Sequence, residues 1–318
     1  MATATTTGAQ QRTIDANVLV RKQRSLWGDA FYRLRRNKAA MFGIVVIIIA
    51  GILAIFAPWI APYDPVVQNT KLNNMDPIFT GTQYTNPRYF LGSDELGRDI
   101  LSRLIWSARV SMVVGFVPTA LIFVIGVSLG MLAGFFGGWI DNLLMRFTDI
   151  VYAFPDLLFL IIIMGALRNT ALGDVLGGLM LIFIALAIVS WVGLARLIRG
   201  QVLSLKEKEF IEAARAIGVP TRRIMVRHLF PNALAPIIVS LAFAIPGAML
   251  AEATLSFLGI GIRPPIPSWG AMINEGYTVF AQSPWPVMLP AVCISVVMLA
   301  FTFLGDGLRD ALDPRMKI

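Results

Sequence analysis

Long runs of apolar residues, separated by polar segments, dominate the pattern along this chain. The first run covers residues 39–60 and contains no charge. Its 22 residues, at about 1.5 Å of rise each, make a helix of about 33 Å, enough to cross a hydrocarbon core of about 30 Å. Comparable runs follow at 110–140, 143–167, 175–195, 231–258 and 285–304. The pattern predicts an all-α integral membrane protein with six transmembrane helices.

The basic residues indicate the side of the membrane on which each loop lies. Twenty of the 27 Lys and Arg residues fall in the N-terminal segment, the second and fourth loops and the C-terminal tail. Because Lys and Arg are retained on the cytoplasmic side, we expect a multi-pass protein of the cytoplasmic (inner) membrane with both termini in the cytoplasm. Four segments are then predicted: a cytoplasmic N-terminal segment (1–38), the first span with an external segment (39–106), a five-helix core (107–308) and a cytoplasmic tail (309–318).

Composition supports the membrane interpretation and excludes other classes of function. Hydrophobic residues make up 57% of the chain and charged residues 14%, whereas soluble domains carry about 25% charged residues. The net charge of +8 does not indicate nucleic-acid binding, because the basic residues lie between apolar runs and not on a soluble face with interleaved aromatic residues. The predicted partner of the apolar surface is the lipid bilayer.

The sequence offers no candidate residues for metal, nucleotide or hydrolytic chemistry. The single cysteine, Cys293, and the single histidine, His228, belong to no metal-ligand spacing. The chain has no Gly-Lys dipeptide, and therefore no phosphate-binding P-loop. It also lacks the H-E-x-x-H pattern, and its one G-x-S-x-G spacing, at 126–130, lies inside an apolar run and not at the strand-to-helix turn of a hydrolase. We expect no catalytic residue, no metal and no cofactor bound by this chain.

Glycines recur every four residues in the second apolar run. They are Gly126, Gly130, Gly134 and Gly138. Such a stripe lets another helix approach closely, which matters in lipid because packing rather than hydrophobicity drives association there. The spacing predicts a helix-packing face; the alternative is that these glycines are simply tolerated in a membrane helix.

Three acidic residues fall inside predicted spans, where a charge is costly and needs a cause. Asp149 and Asp156 are seven residues apart on the predicted third span and should share a helical face, and Glu252 lies within the fifth. One hypothesis is that all three line a polar translocation pathway and contact cationic groups of the solute. The alternative is that they pair with Arg146 or cap broken helices.

The most informative segment is the basic loop 196–231, which is predicted to fold as two helices. Ser204 and Glu207 have the spacing of a capping box. Four apolar residues then form one predicted face: Phe210, Ala213, Ala214 and Ile217. Gly218 has the position of a C-terminal cap, and the second helix is expected to end before Pro231. Such a helix either lies on the membrane surface or fits a groove on another protein.

This loop resembles the EAA loop of ABC importer permeases. Glu212-Ala213-Ala214 is followed after three residues by Gly218, and Pro231 lies thirteen residues further on. His228 and Phe230 stand where the family usually has an apolar pair, which is a mild departure. Segments 91–99, 255–270 and 305–315 are similar to the C-type subunit of dipeptide and oligopeptide permeases, so the resemblance covers residues 33–317.

The resemblance implies a type I ABC importer permease fold whose cytoplasmic coupling helix docks on an ATPase subunit. It implies coupling roles for seven residues: Phe210, Glu212, Ala213, Ala214, Ile217, Gly218 and Pro231. For Glu212 the alternative is an ordinary solvated charge. The implied partners are a second homologous permease subunit, two ABC ATPase subunits that hold ATP and Mg²⁺, and an external substrate-binding protein.

The function expected from this resemblance is that of a pore-forming subunit that imports di- or oligopeptides. Within the same family, a nickel-chelate or glutathione permease is the alternative. A rival of a different class is a proton-coupled secondary transporter that works through Asp149, Asp156 and Glu252. It would account for the helices but not for the long, capped cytoplasmic loop.

Overall fold

The structure is a computed structural model that describes residues 26–313, which fold as a bundle of α-helices. In chain order these are α1 (Leu26–Arg36), α2 (Lys38–Ile60), α3 (Ile100–Phe136), α4 (Gly138–Tyr152), α5 (Asp156–Leu167), α6 (Ala171–Asp174), α7 (Leu179–Val189), α8 (Val192–Lys206), α9 (Glu209–Ala216), α10 (Thr221–Arg223), α11 (Phe230–Phe257), α12 (Trp269–Tyr277) and α13 (Trp285–Leu312). A π-helical segment, Ile224–Leu229, joins α10 to α11. Residues 1–25 and 314–318 of the predicted terminal segments, including part of the tail motif, lie outside the described residues.

The predicted all-α membrane architecture is confirmed. Within residues 26–313, five stretches are long and apolar enough to cross a membrane: Lys38–Ile60, Ile100–Phe136, Ala171–Lys206, Thr221–Phe257 and Trp285–Leu312. The pair α4 and α5 makes a sixth if it is counted as one crossing, although the two helices are bent by 79°.

The second span starts earlier than its hydropathy predicts. Expected at 110–140, it begins at Ile100, where Asp99 caps α3 by accepting from the Ser102 N–H group at 2.8 Å. It ends before Gly137, whose positive φ of 65° stops the helix. The start was missed because the first turns of α3 carry polar residues that are buried inside the protein. α3 therefore crosses the predicted boundary at 106/107.

The third span was predicted as one helix over 143–167, and this was wrong. The chain breaks between Tyr152 and Asp156, because Pro155 has no N–H group to donate and disfavours a helical conformation at Phe154. As a consequence, Asp149 and Asp156 lie on different helices and do not share a helical face.

Two helix ends predicted within loop 196–231 were also wrong. Ser204 lies inside α8, which continues to Lys206 because Ile198 and Val202 are fully buried, and α9 starts without a side-chain cap. The second helix does not end before Pro231; it runs through the π-helical segment into α11.

Buried residues form three clusters, and α3 and α11 contribute to all of them. One cluster joins α3, α8, α9 and α11 at the end of the bundle that carries α9, here called the loop end. The opposite end, here called the cap end, carries residues 61–99 and 258–284. The two central helices thus connect the loop end to the cap end.

Candidate functional site

Helix α9 has an anchored inner face and an exposed outer face. Ile211 is fully buried and Ala214 is 6% exposed, and both pack into the cluster of α3, α8 and α11. The outer face consists of Phe210, Ala213 and Ile217, which are three and four residues apart and therefore adjacent on the helix. Phe210 is 42% exposed and Ile217 81%.

This arrangement corrects the predicted apolar face. Ala214 was grouped with Phe210, Ala213 and Ile217, but the structure turns it inward. Ile211 was not singled out, although it is the main anchor of the helix. Apolar residues occur on both sides of this short helix, so the periodicity of the sequence alone does not tell which side is buried.

The end of α9 has the glycine cap that the sequence predicts. Gly218 has φ +78° and its N–H group donates to the Arg215 carbonyl at 2.9 Å. The Val219 N–H group donates to the Ala214 carbonyl at 3.0 Å, and the Val219 side chain packs on the same core. This pair of bonds is a Schellman motif, and it fixes the direction in which the chain leaves α9.

Two charged residues of α9 point away from its anchor. Glu212 is exposed in the first turn, where the helix dipole favours an acidic residue. The Arg215 guanidinium lies 5.6 Å from the centre of the Phe135 ring, near the end of α3. Arg215 therefore adds a cation–π contact between α9 and the longest span.

Two ion pairs connect α8 to α4. Arg199 contacts both carboxylate oxygens of Asp141 at 2.5 and 2.6 Å, a bidentate geometry that holds orientation well. Arg196 contacts Asp149 at 2.7 Å and lies 4.3 Å from the centre of the Tyr152 ring. The partner of Asp149 is therefore Arg196 and not Arg146.

The three acidic residues proposed for a pathway are not brought together. Asp149 is in the ion pair with Arg196. Glu252 is 1% exposed and accepts from the Ser256 hydroxyl at 2.6 Å. Asp156 is exposed in the first turn of α5, beside the break in the third span, and makes no hydrogen bond or ion pair with any described residue.

The glycine repeat has two different structural roles. A Cβ atom at Gly130 would lie 2.5 Å from the Ala195 carbonyl oxygen, and equivalent atoms at Gly126 and Gly134 would lie 3.0 and 2.8 Å from side chains of α8. At these three glycines α3 and α8 are in close contact. Gly138 instead has φ +53° and open space around it, since it starts α4 after the end of α3.

At the cap end, three buried charged residues and the partly exposed Glu275 form a network, here called the cap cluster: Asp94, Arg98, Arg103 and Glu275. Arg98 contacts Asp94 and Glu275 at 2.6 Å each, and Arg103 contacts the same two carboxylates, Glu275 at 2.7 Å. Asp94 belongs to segment 91–99, and Glu275 belongs to α12, which begins at the end of segment 255–270. The structure thus joins segment 91–99 to the helix that starts in the second segment.

Asp99 completes the contact between the external segment and α3. Burial raises the pKa of its carboxyl above the ordinary value of 3.8, although hydrogen bonds from Ser102 oppose that shift. The Ser102 hydroxyl donates to Asp99 at 2.5 Å and accepts from the Tyr63 N–H group at 3.0 Å. Over residues 26–313, no group of three or more His, Cys, Asp or Glu residues is arranged to hold a metal ion.

Comparison with known proteins places this architecture in a family. The sequence model described as "Binding-protein-dependent transport system inner membrane component" matches residues 126–318, and that described as "N-terminal TM domain of oligopeptide transport permease C" matches residues 25–77.

Curated relatives match over nearly the whole chain. The oligopeptide transport system permease protein OppC of Bacillus subtilis is 39% identical over 95% of this chain and 94% of its own length. The dipeptide permease protein DppC of the same organism is 38% identical over 97% and 92%. The glutathione permease protein GsiD of Escherichia coli is 38% identical over 97% of each chain.

A solved structure supports the fold. An inward-facing conformation of the methionine ABC transporter MetNI matches with a TM-score of 0.53 and 19% identity, over 67% of this chain and 98% of that chain. The resemblance stated from the EAA loop is confirmed. With an EAA-type hairpin at one end, a type I importer fold and curated relatives named as permease proteins, this chain belongs to the family of binding-protein-dependent transport inner membrane components, as the permease subunit of an ABC importer.

Proposed function

We propose that this permease subunit carries di- or oligopeptides into the cell, in a complex with a second related permease and two ABC ATPase subunits. An external substrate-binding protein delivers the solute, and ATP and Mg²⁺ bind to the ATPase subunits. The names of the oligopeptide and dipeptide relatives support this choice of substrate. Glutathione, itself a tripeptide, and nickel chelates are the alternatives within the family.

The loop end is proposed to face the cytoplasm. Twenty of the 27 Lys and Arg residues belong to segments expected on that side, which is the asymmetry that cytoplasmic loops carry. In this orientation α9 is accessible to ATPase subunits in the cytosol, and the cap cluster faces the substrate-binding protein.

The outer face of α9 is the observation that carries the proposal. Three adjacent apolar residues are exposed on a helix whose other face is anchored, and such a surface fits a groove on a partner protein. An exposed ion pair through Glu212 would add only about 0–1 kcal/mol. We therefore expect apolar contacts of Phe210, Ala213 and Ile217 to dominate docking.

Movement of α9 would reach the spans through the contacts that α9 makes with them. Ile211 and Ala214 link α9 to α8 and α11, and Arg215 links it to the end of α3. ATPase closure would then move α9 with the ends of three spans, provided that the nucleotide state favours one arrangement over the other.

Cysteine crosslinking in the assembled transporter tests the docking assignment. In a Cys293→Ser background, a cysteine at position 217 should capture an ATPase subunit, whereas a matched cysteine at position 211 should not, because that position is buried. Capture from neither position, in a complex that still hydrolyses ATP, would overturn the assignment of α9.

Ile217→Asp tests the energetic coupling. It should abolish ATPase copurification and uptake while the permease stays folded, because it places a charge in an apolar contact. Val67→Asp is the matched control: Val67 is also largely exposed but lies at the cap end, so ATPase copurification should survive. Uptake and substrate-stimulated ATP turnover at wild-type rates in Ile217→Asp would contradict the coupling role.

A polar pathway role is proposed for Asp156 alone among the three acidic residues, because it is exposed and free of described partners. Asp156→Asn should reduce uptake of peptides with a free amino terminus more than that of amino-terminally blocked peptides. Equal uptake of both by a folded variant would remove this residue from the pathway. A binding assay on the cognate substrate-binding protein would decide between peptide, glutathione and nickel chelate.

A further inference from the structure

Helix α1, which the sequence pattern did not predict, is connected to the first span by a single residue. α1 ends at Arg36 and α2 begins at Lys38, with only Asn37 between them. The Asn37 N–H group donates to the Arg33 carbonyl at 3.2 Å, and the Asn37 side-chain oxygen accepts from the Ala40 N–H group at 3.1 Å. Because α2 crosses the bilayer, the residue next to its start lies at the level of the lipid headgroups. The last turn of α1 ends two residues before that start and therefore lies close to the same level.

The inner side of α1 is attached to the end of α13. Ala30 is buried, and a Cβ atom added at Gly307 would lie 3.1 Å from Leu34 Cδ1. The Arg33 guanidinium donates to the Asp313 carbonyl at 3.4 Å. α1 is therefore held in place at the loop end, and the side opposite these contacts faces outward.

The outward side combines aromatic rings with basic groups. Phe31 is 67% exposed, with Arg35 one turn later on the same face. The Arg36 guanidinium lies 5.6 Å from the centre of the Tyr32 ring, and Lys38 is exposed at the start of α2. No ion pair in the part of the chain that the structure describes involves Arg35, Arg36 or Lys38.

These features are complementary to an anionic lipid surface. Aromatic side chains are favoured at the boundary of headgroups and acyl chains, and unpaired Lys and Arg beside them attract lipid phosphates. We propose that the α1 surface, made of Phe31, Tyr32, Arg35, Arg36 and Lys38, binds the headgroups of anionic phospholipids in the adjacent leaflet. This binding does not depend on which solute the transporter carries.

Lipid titration of the purified full-length chain in detergent micelles tests this proposal. Fluorescent phosphatidylglycerol should bind more tightly than fluorescent phosphatidylcholine. The variant R35Q/R36Q/K38Q should lose at least about tenfold in affinity for phosphatidylglycerol, because each basic residue near an anionic surface contributes about fivefold. Its affinity for phosphatidylcholine should not change.

Two control variants separate a site from a general effect of charge. R35K/R36K keeps the charge and should keep the lipid preference. R222Q/R223Q removes two exposed basic residues of α10 at the same end and should leave the preference unchanged. If R222Q/R223Q loses as much affinity as the triple variant, net charge alone explains binding and the proposal is overturned.

Should the triple variant prove unstable, the single variant R35Q decides the question. The Arg35 side chain is exposed and makes no hydrogen bond or ion pair with any described residue, so its replacement should not affect folding. We expect R35Q to lower phosphatidylglycerol affinity about fivefold. An unchanged affinity, or an equal loss for both lipids, would refute the assignment of the α1 surface.

Discussion

The cap cluster and the outer face of α9 lie at opposite ends of one bundle and differ in how their groups are satisfied. In the cap cluster each charge contacts an opposite charge of the same chain, and Glu275 comes from a distant segment. The outer face of α9 has no such partner among the described residues, and its apolar side chains are exposed. The cap end is thus closed by intramolecular contacts, whereas the loop end has a surface that a second protein can cover.

From this difference we expect the cap cluster to contribute to the stability of the fold and the outer face of α9 to contribute to coupling. Removing one member of a buried ionic network leaves an uncompensated charge, so mutations in the cap cluster should affect folding. Mutations on the outer face of α9 should affect assembly with little effect on folding, since exposed positions contribute little to stability. Matched mutations at the two ends test this difference.

The largest effect is expected for Asp94→Asn. Both arginines of the cap cluster contact Asp94, which is buried, so the variant leaves excess positive charge in the protein interior. The free energy of unfolding in detergent should fall by about 3–5 kcal/mol. Asp174→Asn is the control, because Asp174 pairs with Arg263 at 2.5 Å but is largely exposed, and it should cost about 0–1 kcal/mol. Equal effects of the two variants would mean that burial does not distinguish them.

A smaller effect is expected within α9 itself. Ile211→Ala should lower the free energy of unfolding by about 2–5 kcal/mol, because it opens a cavity under the helix. Ile217→Ala, at an exposed position of the same helix, should change it by less than about 0.5 kcal/mol. The pair is measured by denaturant unfolding of the isolated permease, and the reverse ranking would show that α9 presents its other face to the core.

The smallest of the three effects is expected at the contact of α3 and α8, which belongs to the buried cluster at the loop end. Gly130→Ala would place a methyl group 2.5 Å from the Ala195 carbonyl oxygen and should cost about 1–3 kcal/mol by overpacking. Gly51→Ala, where nothing lies within 4 Å, should be neutral or slightly stabilising, because alanine favours a helix. A stable Gly130→Ala variant would mean that α3 and α8 separate without cost.

Much of the fold follows from local features of the sequence. Apolar length predicts the spans, and the cap at Gly218 follows from a single residue that tolerates positive φ. The break at Pro155 could also be predicted, since proline cannot continue a helical hydrogen-bond ladder. The residues on both sides of it are apolar, however, and this pattern favours one continuous span. Helix α1 was missed because its basic residues reduce its hydropathy.

Composition and spacing over a few turns were sufficient to predict the class of the spans, the family and the position of the hairpin that carries α9. Only the packed structure shows that Ile211 and Ala214 are the buried residues of α9, since both sides of that helix are apolar. It also decided that Asp149 pairs with Arg196, and that Arg103 meets Glu275. Such contacts join residues far apart in the chain, and their pairing is set by the packing of whole helices, which no local periodicity encodes.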